Sequence, residues 1–226
     1  MRLLFVTILL SVLIMPAQAS ESIGYITNSS GKVQIKTIKA KRLEGIAGTQ
    51  INVKDFLKVR KKSMATLAME DGSKFQISEK TTLVFDDFLY DAKNQKMRVR
   101  IIDGALSYDG KKIALNSNRE FNTKGFTLTV RGTKFAGKFG STSQIVLLKG
   151  AVELSGKGKN QVLSGSSMQS VIFDVSGIGE PFNMSIIEVK SFFVKHGLNF
   201  DLLMEPKFEQ NIESSNKSCV GSNCGN

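Results

Sequence analysis

The 226-residue chain has no tryptophan, one histidine, three prolines and two cysteines. Each scarcity narrows what the protein can be. His196 is the sole imidazole, so a Ser-His-Asp or Cys-His relay would have to be built on it, and no nucleophile elbow flanks it. Both cysteines, Cys219 and Cys224, stand close to the C-terminus. A Cys-x4-Cys spacing without a second pair is a weak zinc site, and thioredoxin-like chemistry needs two intervening residues. In an exported chain the two cysteines most simply pair, closing a small loop that adds little stability. Paired carboxylates brought together only by the fold remain open as a glycosidase-like arrangement, but no acid, base or nucleophile motif supports catalysis. No metal or cofactor motif is present either. Asp86, Asp87 and Asp91 lie close together but lack the Asp-x-Asp-x-Asp-Gly spacing of a calcium loop, and they read as turn residues. Gly156-Lys157-Gly158-Lys159 lacks the spacing of a phosphate-binding loop.

Long apolar runs are equally scarce. Leu3 to Met15 is the exception; it follows Arg2 and precedes Ala17-Gln18-Ala19, a small-x-small cleavage pattern. The run is shorter than the roughly 20 residues needed to span a bilayer, so residues 1–19 are expected to be a signal peptide cut between Ala19 and Ser20. That places the protein outside the cytoplasm, periplasmic or secreted, with no transmembrane segment in the mature chain.

What the chain has in excess is positive charge, a net of +11 that falls only to +10 when the leader with Arg2 is removed. Two readings follow: a solvated surface whose lysines discourage edge-to-edge pairing, or attraction to an anionic envelope polymer or lipid headgroups. The clusters Lys36, Lys39, Lys41, Arg42 and Lys54, Lys58, Arg60, Lys61, Lys62 are the places to look, with Arg98 and Arg100 as a further cationic face. Nucleic acid is excluded on the absence of a recognised motif and on export.

The pattern is that of short strands. Phe126, Leu128 and Val130 alternate with threonines, and beyond Arg131-Gly132-Thr133 the inward parity moves to Phe135 and Phe139. A one-residue slip reverses every side chain, so a bulge or corner is expected at Gly132. Ile145 to Leu148, a Lys149-Gly150 turn, and Val152 with Leu154 follow. Leu67 and Met69 before Asp71-Gly72, and Phe75 and Ile77 after it, predict a tight hairpin. Met97, Val99 and Ile101 form another alternating run. The glycine-turn intervals are irregular, which predicts an all-β roll of stacked arches or hairpins without a solenoid period. The period changes after residue 176. Ser185 and Glu188 form a capping box, and Ile186, Val189 and Phe193 fall at helical spacing up to His196-Gly197. This predicts an amphipathic helix covering an open end of the β domain. The division expected is therefore 20–176 for the β domain, 177–206 for a helical extension, and 207–226 for a polar tail.

Several of these motifs, taken in order, resemble the FecR domain family. They are Gly31-Lys32-Val33, the Asp71-Gly72-Ser73 hairpin, Asp103-Gly104-Ala105-Leu106, Arg131-Gly132-Thr133 with Phe135, and Gly150-Ala151-Val152-Glu153-Leu154. The resemblance implies an exported, non-catalytic β domain of cell-surface signalling that contacts a transporter's signalling domain and relays its state to a sigma factor. The anti-sigma segment and membrane-spanning helix of that scheme have no counterpart here. The expectation is therefore a stand-alone scaffold or accessory that recognises an unidentified envelope protein through a strand edge, including the Arg131-Gly132-Thr133 corner. The alternative is a basic protein that binds a polyanion or the cell wall.

Overall fold

In the computed structural model, residues 22–91, 94–111, 117–165 and 168–204 are described. The leader with its Ala19/Ser20 junction, and the tail with Cys219 and Cys224, lie outside them.

The expected all-β roll followed by a helix is present. The strands are β1 (Ser22–Ser30), β2 (Val33–Lys36), β3 (Arg42–Glu44), β4 (Gln50–Asn52), β5 (Phe56–Val59), β6 (Met64–Met69), β7 (Lys74–Ile77) and β8 (Thr82–Tyr90). They continue with β9 (Gln95–Asp109), β10 (Ser117–Thr123), β11 (Phe126–Phe139), β12 (Thr142–Gly156), β13 (Lys159–Ser164), β14 (Gln169–Asp174), β15 (Gly177–Ile178) and β16 (Phe182–Asn183). One helix follows, α1 (Ile186–Lys195).

All of these strands belong to one branched, open sheet that folds over itself. Its two layers share three long strands. One layer runs β3-β2-β5-β8, then the first half of β9, β10, the first half of β11, the second half of β12, and β13. The other runs β4-β1-β6-β7, then the second half of β9, the second half of β11, the first half of β12, and β14. Strands β9, β11 and β12 thus pass from one layer to the other. Each does so at a glycine with positive φ: Gly104 at 112°, Gly132 at 57° and Gly150 at 90°. A bend with φ above zero is strained for any residue with a Cβ, so these points select glycine.

The alternating apolar sets meet between the layers. Phe75, Tyr108, Phe121 and Phe135 form the aromatic centre, with Phe121 and Phe135 edge-on at 5.0 Å. Deep burial of this set is what makes the alternation legible.

Three expectations need correction. Lys149-Gly150 is not a turn: β12 runs unbroken through it, because the Gly150 bend follows the bulge in its partner β11. The stretch from 177 opens with two more short strands, β15 and β16, both paired with β14, before the helix begins. The helix does not cover an open end. Val189, Phe192 and Phe193 lie on the outer face of the second layer, against Ala105, Ala136, Val146 and Leu148. Small residues at 105 and 136 leave the room a helix needs to approach the sheet. The extension is fixed by a reciprocal amide pair: Gln76 Nε2 donates to Asn199 O at 2.9 Å, and Asn199 N donates to Gln76 Oε1 at 3.0 Å. Lys134 Nζ also donates to Leu203 O at 3.0 Å.

Candidate interaction surface

The residues singled out in the sequence do not converge on one site. Gly132, Thr133 and Gly150 make one corner, Asp71 and Gly72 lie in the β6–β7 turn, Gly104 bends β9, and Phe135 is in the core. At the corner the register of β11 against β12 shifts between Arg131 and Lys134. Thr133 is fully buried; its hydroxyl donates to Ala151 O at 2.7 Å and accepts from Arg131 N at 2.9 Å. Thr133 therefore bridges the two strands where ladder bonds are interrupted, and only the Arg131 side chain is turned to solvent.

The Asp71-Gly72 turn is wider than a two-residue hairpin. Gly72 alone has positive φ, at 76°, and Met69 N donates to Ser73 O across the loop. The reason is the Asp71 carboxylate. One oxygen accepts from Ser73 N at 2.9 Å and Ser73 Oγ at 2.6 Å, while the other meets Arg119 Nη2 at 2.7 Å. Both side chains of this ion pair are almost inaccessible, at 2% for Arg119 and 3% for Asp71. Arg119 also donates to the Tyr108 hydroxyl at 3.0 Å, and burial pushes that phenol's pKa well above its ordinary value. The first-layer strand β10 is thereby tied to a second-layer turn through the core. The sequence reading missed Arg119. Its signal was parity, since it stands two residues before Phe121 and shares that residue's inward face.

The cationic face expected from Arg98 and Arg100 is neutralised. Arg98 pairs with Glu120 at 3.0 Å, Arg100 with Asp86 at 2.8 Å, and Lys96 with Asp87 at 2.6 Å, while Lys54 lies 3.8 Å from Asp86. Asp86 and Asp87 are accordingly strand residues in cross-strand ion pairs, not turn residues; the extra residue between Phe85 and Asp87 is a bulge that turns both carboxylates outward. The hydrogen bond from Arg100 holds the Asp86 carboxyl below its ordinary 3.8. A depressed folded pKa means that the pair stabilises above the unfolded pKa and that this contribution is lost as pH falls through the folded one. Asp86→Asn should therefore cost about 1 kcal/mol at neutral pH, and the difference should shrink as pH falls below 3.8 through the lowered folded pKa. Thermal melts of both proteins across that range would show the gap closing.

His196 lines an open cleft with Ser78 and Asp103, the three residue types of a hydrolytic relay. They are not wired together: among the described residues His196 has no hydrogen bond to either. Burial, then Lys195 and Lys138, lower its pKa. No group of three or more metal-ligating side chains occurs among the described residues. No described helix is long and apolar enough to cross a membrane.

Strand β13 presents an edge of six residues, paired only with β12. Val162 on it is 58% exposed, while Leu163 is buried. Of the other outer strands, β3 and β4 have three residues each, and β14 is partly covered by β15 and β16.

The family model described as FecR protein matches residues 55–153, from the turn before β5 to the second half of β12, in agreement with the resemblance seen in the motifs. Two crystal structures, each described as a "putative anti-sigma factor" from Parabacteroides distasonis, share the fold. The first is 15% identical with a TM-score of 0.52 and the second 14% identical with a TM-score of 0.50. Each alignment covers 61% of this chain, and the chain spans 63% and 64% of those proteins' lengths. A search of curated proteins returned no match.

Proposed function

We propose that this protein is a non-catalytic, FecR-like interaction module of cell-surface signalling, exported to the bacterial envelope, that acts as a scaffold or accessory to another envelope protein. The FecR match and the anti-sigma description of the structural neighbours support the signalling context. The observation that carries the mechanism is the β13 edge, whose outer side has no strand partner beside exposed Val162; of its amides, that of Ser164 is taken by Gln169 Oε1 at 3.0 Å. An extended segment of a partner adds a strand there and prolongs the first layer. Lys159 opens the edge, and a charge in that position keeps such an edge from pairing with copies of itself.

Adjacent proline substitutions test this. In an antiparallel ladder, successive N–H groups point to opposite sides, so of Gln161→Pro and Val162→Pro one removes a donor to β12 and the other an outward donor. The first variant should melt several degrees lower. The second should melt nearly as the parent does yet lose crosslinking to its envelope partner in intact cells. Retained crosslinking in a folded outward-donor variant would rule out edge addition. Loss of the crosslinked species on adding salt, with equal capture by anionic cell-wall material, would instead favour the polyanion reading.

A further inference from the structure

Among the described residues, six that are not glycine have positive φ: Ala40, Lys54, Lys62, Lys80, Lys124 and Lys157. Five of these are lysine. A side chain in the left-handed region costs about 1–2 kcal/mol, which glycine, and partly asparagine, avoids. Repeated lysine at such tips places charge where local backbone energetics do not favour it, and strain of that kind marks positions used for something other than stability.

Lys62 and Lys80 belong to turns that the fold puts side by side. Arg60 N donates to Lys32 O at 3.0 Å, Lys32 N to Ser63 Oγ at 2.8 Å, and Lys80 N to Arg60 O at 3.4 Å. Three turns, β1–β2, β5–β6 and β7–β8, are thereby stitched into one end of the molecule carrying Lys32, Arg60, Lys61, Lys62 and Lys80, all exposed. Glu79 is the one carboxylate within 4 Å of any of their charged groups among the described residues, 3.9 Å from Lys80. Its other oxygen is taken by the Lys62 backbone amide. The cluster continues onto the outer face of β5 and β2. Arg60 donates to Gln34 at 3.1 Å, Gln34 lies opposite Lys58, and Lys36 lies opposite Arg42. The contrast within the same layer is sharp, because Lys54, Lys96, Arg98 and Arg100 are each matched by a carboxylate. Past the far end of β2 the loop before β3 exposes Ile38 at 73%, and the loop after β3 exposes Ile46 at 57%.

We propose that this strip, from the three stitched turns along β5–β2–β3, docks the protein on the phosphate headgroups of an anionic lipid surface. Headgroup phosphates match a spread of exposed cations of which, among the described residues, only Lys80 has a carboxylate beside it, and the exposed isoleucines gain from the acyl boundary, which a soluble polyanion does not offer.

The test uses the chain from Ser20, which contains every described residue, with vesicles of phosphatidylcholine alone or mixed with phosphatidylglycerol. Binding should require the anionic lipid and weaken as salt rises. Each lysine near such a surface contributes roughly a factor of five, so Lys62→Gly with Lys80→Gly should lower vesicle affinity about thirty-fold. The same pair relieves left-handed strain, so its melting temperature should hold or rise. Arg60→Gln with Lys61→Gln provides a second charge loss of the same expected size outside the strained positions. Ile38→Ser should weaken vesicle binding several-fold and leave retention on dextran sulfate unchanged. No preference for the anionic vesicles, unchanged affinity in both double variants, or binding to dextran sulfate without vesicle binding would each overturn the proposal. None of these outcomes bears on the β13 edge.

Discussion

Replacing Arg119 with leucine should lower the melting temperature by roughly 10 °C. The guanidinium sits between Asp71 and Tyr108 with almost no access to water. Removing it leaves a buried carboxylate without its counter-charge, a loss that typically costs about 3–5 kcal/mol. In a domain of this length each kcal/mol moves the midpoint by about 2–4 °C. Asp71→Ala should cost a comparable amount, because it strands the arginine and also deprives Ser73 N and Oγ of their acceptor. Combining Arg119→Leu with Asp71→Ala should recover part of the loss but not all, since no charge is then left unpaired while the Ser73 amide still is. Calorimetry of the two single variants and the double variant measures the coupling directly. Additive losses would show that the two side chains do not act as a pair.

Gly150→Ala should be at least as damaging. A Cβ at position 150 would lie 2.5 Å from Gly132 O and 2.9 Å from Thr133 Cα, both backbone atoms of the facing strand, and φ is +90°. Neither atom can rotate away, so β11 and β12 would have to separate at the point where both change layers. The strain of the conformation and the displaced ladder together should cost about 3 kcal/mol or more. Gly132→Ala should be milder, because φ of +57° lies in the left-handed region that other residues can enter. Melting curves that rank the two variants in the opposite order would contradict this account of the corner.

The alternation of Phe126, Leu128 and Val130 and that of Met97, Val99 and Ile101 were legible because one face of each strand meets the core and the other meets water. The parity change near Gly132 was legible for the same reason. The capping box of Ser185 and Glu188 was legible because it is local, and both of its bonds form. Pairing between distant segments was not. Arg119 reads as one more surface cation until β10 is known to face the β6–β7 turn. Arg98 and Arg100 read as free charge until Glu120 and Asp86 are known to lie across from them. The helix face was read correctly but its receiving surface was not, because Ala105 and Ala136 carry no signal of their own until three strands align them. The cationic strip was divided for the same reason. Lys54 was grouped with Arg60 by proximity in the chain, whereas the fold sends Lys54 to Asp86 and brings Lys32 and Lys80 to Arg60.

Because β9, β11 and β12 each contribute half their length to either layer, neither layer can be completed while the other is absent. Assembly therefore waits on contacts between residues far apart along the chain, the circumstance that makes β topologies slow to form. No break in the chain at a layer boundary would leave a fragment able to hold its shape, and denaturation should proceed in a single cooperative step.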